Sequence, residues 1–348
     1  MDNNFDYNNQ INQISQPQPQ YVTYIPYGLT PETYEERRAI KKIANIIGGA
    51  LLIMSAVPEF IVASLKFVLS ILGLWGVKEL EFFSSAAFNQ YLQAILSIIM
   101  FTIPFIFLFK VNGHRISGLI KFKLPKKSDI LPYFFLGVGV CYFANFAVSV
   151  AGGIFESFGF EYNVTPLENP DGILGFMLTF IAIAVVPPLV EEFACRGLIL
   201  SSLRKYGDAF AIFTSAALFG IMHGNFQQMP FAFLVGLGLG FIVVKTGSIW
   251  IAVAVHAFNN SVSVVLDYII SNTNKEIANI FGAIVLTACL LFIFVGMLLL
   301  KNKKKAYAIK KSKAKSSVSQ IIKWFFTAPT IIIFIVIEVL KSLAYFIM

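Results

Sequence analysis

The stretch GILGFMLTFIAIAVVPPLVEEFACRGLILSSL, residues 172–203, holds no charged residue before Glu191. An apolar run of that length matches the ~20 residues a helix needs to cross a hydrocarbon core of about 30 Å. Outward from it, further apolar runs fall near 43–75, 88–109, 129–152, 208–224, 228–245, 248–270, 277–300 and 325–347. The whole chain of 348 residues is 57% hydrophobic and 13% charged, with 36 phenylalanines. An ordinary soluble domain carries about 25% charged residues, so a soluble fold would have nowhere to hide this apolar surface. Disorder over most of the chain is excluded too, because it requires low hydrophobicity and high net charge. The expectation is an all-α protein, a polytopic transmembrane helix bundle with eight core spans. The run near 325–347 carries Glu338 and Lys341, and is read as a ninth, C-terminal hydrophobic helix that either spans or lies along the interface.

The net charge of +8 does not point to nucleic acid, because the basic residues cluster at the ends of the apolar runs. That distribution suits loops beside anionic lipid headgroups, so membrane lipids are the expected partners. With the N-terminus cytoplasmic, the inner loops hold Lys110, Arg115, Lys121, Lys123, Lys126 and Lys127, then Arg204 and Lys205, then Lys245. The last inner segment, KNKKKAYAIKKSKAK at 301–315, has eight lysines. The outer loop 153–171 carries Glu156, Glu161, Glu168 and Asp171 without Lys or Arg, as the positive-inside rule requires. The chain therefore divides into a tail at 1–36, a membrane domain at 37–300, and a lysine-rich linker with a hydrophobic helix at 301–348. The tail is rich in Asn, Gln and Pro, shows no hydrophobic period and is expected to be disordered. Cys141, Cys195 and Cys289 lie far apart inside apolar runs and read as packing residues.

Ionisable groups at membrane depth are expensive and therefore informative. Three clusters hold them: PPLVEEFACR at 187–196, LFGIMHGN at 218–225 and AVHAFNNS at 254–261. Pro187 and Pro188 remove two backbone donors just before Glu191 and Glu192. Glu192 and Arg196 are four apart on one helical face, in the favourable acid-first order. Pairing between them leaves Glu191, about 100° around the helix, free to face a cavity. Phe219 and His223 share a face by the same spacing, as do His256 and Asn260. Asn259 points elsewhere and is assigned to packing, and His114 to the surface. At 1.5 Å per residue, Glu191 lies about 20 Å above Arg204, and His223 about 22 Å above Asp208. From Ser248, His256 rises roughly 12 Å and Asn260 roughly 18 Å, so all four groups occupy a similar layer. Their chemistry suits water attack on an amide carbonyl. Glu191 is the candidate base and His223 a water-binding partner, with His256 and Asn260 as donors to the oxyanion. A membrane scaffold that keeps these groups as structural ties, and a transporter with broken helices, are the alternatives.

EEFACR, FGIMH and HAFNN resemble the EExxxR, FxxxH and HxxxN motifs of the CPBP intramembrane proteases. That family includes the type II CAAX prenyl endopeptidases and the bacteriocin-processing or immunity-associated Abi proteins. The similarity covers roughly residues 170–265. It implies an eight-helix core and an endopeptidase with Glu191 as the activating base and His223 holding the water. It also implies Glu192 and Arg196 as supporting partners beside Phe219, and His256 with Asn260 at the oxyanion. A peptide or membrane-protein substrate in the cell membrane follows, and a prenyl group is not required by anything in the chain. The family is often labelled a metalloprotease, and Glu191, His223 and His256 could supply three ligands of a zinc ion. No HExxH motif is present, so a glutamate mechanism with no cofactor is favoured over zinc.

Overall fold

The computed structural model describes residues 25–74, 83, 85–157, 170–273, 275–304 and 306–347. Most of the Asn/Gln-rich tail, and the outer-loop acids Glu161 and Glu168, lie outside the described residues. Every described regular element is helical. The chain forms α1 (Pro31–Leu74), α2 (Ala86–Val111), α3 (Lys127–Ser157) and α4 (Gly172–Tyr206). There follow α5 (Asp208–Ile221), α6 (Gln228–Thr246), α7 (Trp250–Asn272) and α8 (Lys275–Leu300), then α9 (Val318–Phe326) and α10 (Pro329–Ile347). Seven of these are long and apolar enough to cross a membrane, and α9 with α10 makes an eighth if the bent pair is one span. The protein is a multi-pass membrane protein.

α1 starts inside the stretch assigned to the tail. Pro31 occupies its first turn, where a missing N–H costs nothing, and Thr30 and Thr33 bond each other's backbone N–H at 2.9 and 3.3 Å. The helix then runs for 44 residues, about 66 Å, with Pro58 inside it.

α5 departs from the expected span at 208–224. It has 14 residues, about 21 Å, and ends at Ile221. Gly224 takes a positive φ of 61°, and the chain turns there before α6. His223 thus stands on a turn and not on a helical face. The α5–α6 hairpin closes tightly because Gly220 faces the Met229 carbonyl and Gly236 faces Ala216, leaving no room for a Cβ. Gly139 and Gly296 allow the same close approach between α3 and α8.

The lysine-rich segment after α8 is a strap held by its backbone. Lys310 donates its N–H to Asp208 Oδ2 at 2.9 Å, and Asp208 returns its own N–H to the Lys310 carbonyl at 3.1 Å. Glu36 accepts from the N–H groups of Lys315 and Ser316, and Lys245 Nζ donates to the Ala308 carbonyl. Asp129 pairs with Lys303. The start of α1, α3 and α5 and the end of α6 therefore share one end of the bundle.

The run near 325–347 is not one straight helix. α9 lies under the bundle with Ile321, Trp324 and Phe325 buried and Lys323 in its last turn, the pattern of an interfacial helix. Its N-terminus is closed by a capping box between Ser317 and Gln320. After a 69° bend, α10 rises along α1, where Gly48 abuts Thr330 and Ile331.

Candidate active site

The double proline organises α4. Pro187 and Pro188 cannot donate to the carbonyls of Ile183 and Ala184, four residues earlier, so the α-helical ladder fails there. The helix widens into π-type turns at Phe180–Val185 and again at Phe193–Leu200, on either side of an α segment at Val186–Glu192. Such turns are rare and cluster at functional sites. Side chains cover several of the carbonyls in this region. Asn260 Nδ2 on α7 donates to the Ile183 carbonyl at 3.0 Å, and Ser215 Oγ on α5 donates to the Cys195 carbonyl at 3.0 Å. Ser201 Oγ donates to the Arg196 carbonyl at 3.0 Å. Thr179, at the upper end of this region, donates its hydroxyl to Gln90 Oε1 of α2 at 2.8 Å.

Inside this frame the pairing expected between Glu192 and Arg196 forms, with Nη1 2.7 Å from Oε1 and both side chains sealed from solvent. Arg196 Nη2 also donates to the Gly236 carbonyl at 3.4 Å, and its guanidinium lies 4.2 Å above the Phe219 ring. The same Glu192 Oε1 accepts from His256 Nδ1 at 3.0 Å. One carboxylate thus joins α4 to α7. It also supplies the orienting carboxylate for a histidine that the sequence did not reveal. Glu192 Oε2 and Arg196 Nε take no hydrogen bond among the described residues.

Glu191 projects from the other side of the turn. Its Oε2 lies 3.9 Å from His256 Nε2, its one ion-pair neighbour among the described residues. His256 is therefore clamped between adjacent glutamates, one bonded and one near.

His223 closes the end of α5. Its Nδ1 lies 2.6 Å from the Phe219 carbonyl, one of the last-turn carbonyls left free by the helix end. A carbonyl only accepts, and Glu192 paired with Arg196 is a carboxylate, so Nδ1 carries the proton in both histidines. In the neutral rings both Nε2 atoms present lone pairs. Phe219 stands edge-to-face against both rings, with centroids 5.1 Å from His223 and 5.8 Å from His256. It is the spacer that sets the two histidines apart. Asn259, assigned to packing, donates to Asn260 Oδ1 at 3.2 Å and so orients the amide that caps Ile183.

A cavity of about 770 Å³ opens beside His223, lined on its other walls by α1, α2 and α10. Glu191, His256 and Asn260 do not line it. Among the described residues no group of three His, Cys, Asp or Glu side chains lies close enough together to hold a metal ion.

Gly236, Ile183, Ser201 and Ser215 are parts of the site that the motifs did not mark. Counting back four residues from each proline would have found Ile183. Nothing in the sequence signals the others.

Residues 173–262 match the family model described as Type II CAAX prenyl endopeptidase Rce1-like. The Bacillus subtilis (strain 168) protein named "Putative membrane peptidase YdiL" is 28% identical over 134 residues, 36% of this chain and 52% of that protein. The chain thus spans about half the length of that curated relative, at 52%. No solved structure matches it.

Proposed function

We propose, from the match of residues 173–262 to the Type II CAAX prenyl endopeptidase Rce1-like model and from the geometry above, that the protein is an intramembrane endopeptidase. Its substrate is a leader peptide or another membrane-associated protein, and its nucleophile is water activated without a metal. Glu191 takes a proton from the water as oxygen attacks the carbonyl carbon, and returns it to the leaving amine. His223 Nε2 accepts the second hydrogen of that water and holds it in place. His256 donates to the oxyanion from Nε2 in its protonated form, and Glu192 behind the ring supports the imidazolium charge. Asn260 spends one amide hydrogen on Ile183 and offers the other to the oxyanion.

The observation that carries this reading is the division of labour between adjacent carboxylates. Glu192 Oε1 is bonded by both Arg196 and His256, while Glu191 has a single ion-pair neighbour among the described residues, at 3.9 Å. A base must also reach the substrate: the Glu192 side chain is sealed from solvent within its ion pair, whereas the Glu191 side chain keeps 14% exposure. The basic strap at the bundle end holding the start of α1 supports a cytoplasmic N-terminus in the cell membrane.

The test is Glu191→Gln with membrane insertion verified, followed by comparative peptidomics of membranes holding the active or the substituted form. Loss of specific cleavage products with the fold retained is expected. An unchanged peptide profile would remove the mechanism. Activity of the purified protein is expected to survive chelation; stoichiometric zinc lost together with activity would replace the metal-free route.

A further inference from the structure

The cavity beside His223 has a wall that comes from outside the family segment. α1 and α10 supply Ser55, Glu59, Glu338 and Lys341 to it, and apolar side chains such as Met54, Leu92, Leu96 and Phe101 line most of the rest. Glu338 is only 2% exposed. Its Oε1 accepts from Ser55 Oγ and lies 3.5 Å from Lys341 Nζ. Lys341 in turn donates to Ser55 Oγ at 2.8 Å and to the Ser55 carbonyl at 3.3 Å, and lies 3.7 Å from Glu59. Glu338 Oε2 takes no hydrogen bond from the described residues. It points at Gly224, directly after His223, where a Cβ would come within 2.7 Å of it.

Two carboxylates face one ammonium around this cavity. A carboxylate oxygen without a donor beside a largely apolar cavity is incompletely compensated, and a cationic group brought by a ligand would pair with it. The remaining lining is apolar and suits the rest of a hydrophobic peptide. We propose that Glu338 forms a specificity subsite for a lysine or arginine side chain of the substrate, placed beside the His223 turn by the C-terminal helix α10. This rests on the endopeptidase reading for the use of the site, but not for its binding chemistry.

Binding is measured with full-length protein carrying Glu191→Gln, in nanodiscs of uncharged phosphatidylcholine, so that neither cleavage nor lipid charge contributes. The probes are a short fluorescein-labelled apolar peptide with one central lysine and its norleucine twin. The lysine peptide is expected to bind about tenfold more tightly, the scale of one charge-assisted hydrogen bond. Adding Glu338→Gln is expected to abolish the difference. Adding Lys341→Met removes the internal counter-charge and is expected to widen it, which keeps the test decisive if the first variant does not fold. Equal binding of the two peptides, or a Lys341→Met form that narrows the difference, would overturn the subsite. The same peptides incubated with the active protein and read by mass spectrometry separate the two ideas. A lysine preference in binding with no cleavage would sink the endopeptidase reading and leave the subsite standing.

Discussion

Two glutamates, one bonded to His256 and one facing Gly224, are both buried: Glu192 on α4 at 0% exposure and Glu338 on α10 at 2%. Glu192 is enclosed by its own neighbourhood. Arg196 comes from the same helix and His256 from α7, and both side chains of the ion pair are sealed from solvent. Glu338 shares one oxygen with Ser55 and Lys341, and the residue lines a cavity large enough for a peptide segment. Burial alone does not separate a tie from a binding group. What separates them is where the remaining oxygen faces.

That contrast can be broken most severely at Glu191, the partner of Glu192 that is not tied. Glu191→Gln keeps the shape and hydrogen-bonding size of the side chain, so insertion and thermal stability in detergent are expected to stay near the parent. Cleavage is expected to fall by roughly 10²–10⁴-fold, the usual worth of a general base. Arg196→Met acts in the opposite sense. It leaves the sealed Glu192 carboxylate with one partner, and about 3–5 kcal/mol of stability is expected to go, visible as a lower unfolding temperature. If both variants lost activity without loss of stability, the division between tie and base would fail.

A smaller effect belongs to Asn260. Asn260→Ala uncovers the Ile183 carbonyl that Pro187 orphans, and about 1–3 kcal/mol of destabilisation is expected in thermal unfolding. Its cleavage rate, compared at a temperature where the fold is intact, reports the oxyanion role separately. Asn259→Ala is expected to be milder, since Asn259 only orients that amide. The smallest effect is expected at Ser201→Ala. That hydroxyl covers one carbonyl of the second π-type segment, and about 1 kcal/mol or less should be lost, with cleavage unchanged.

Much of the core was legible because helix geometry is local. The Glu192–Arg196 pair follows from a four-residue spacing. His223 shows the limit of that arithmetic. The spacing from Phe219 put it on a helical face, but α5 stops at Ile221 and the imidazole closes the helix end by taking the Phe219 carbonyl. Four-residue spacing joins a side chain to a carbonyl at a helix end as readily as it joins two side chains on a face. The strap at 301–317 shows another limit. Its lysines read as a basic linker on an inner loop, yet its backbone is bonded to Glu36 and Asp208, acids distant in the chain.

By itself the sequence determined that the chain is an all-helical, multi-pass membrane bundle, and that Glu192 and Arg196 share a helical face. Those are consequences of composition and of a period of 3.6 residues, and both act within a single segment. Only the tertiary structure decided that Glu192 is shared by Arg196 and His256, that Asn260 covers a carbonyl freed by Pro187, and that α10 brings Glu338 to Gly224. Each of these joins groups at least 40 residues apart or satisfies a backbone atom with a side chain from another helix. No local pattern encodes such a pairing, because it exists only when the helices have packed.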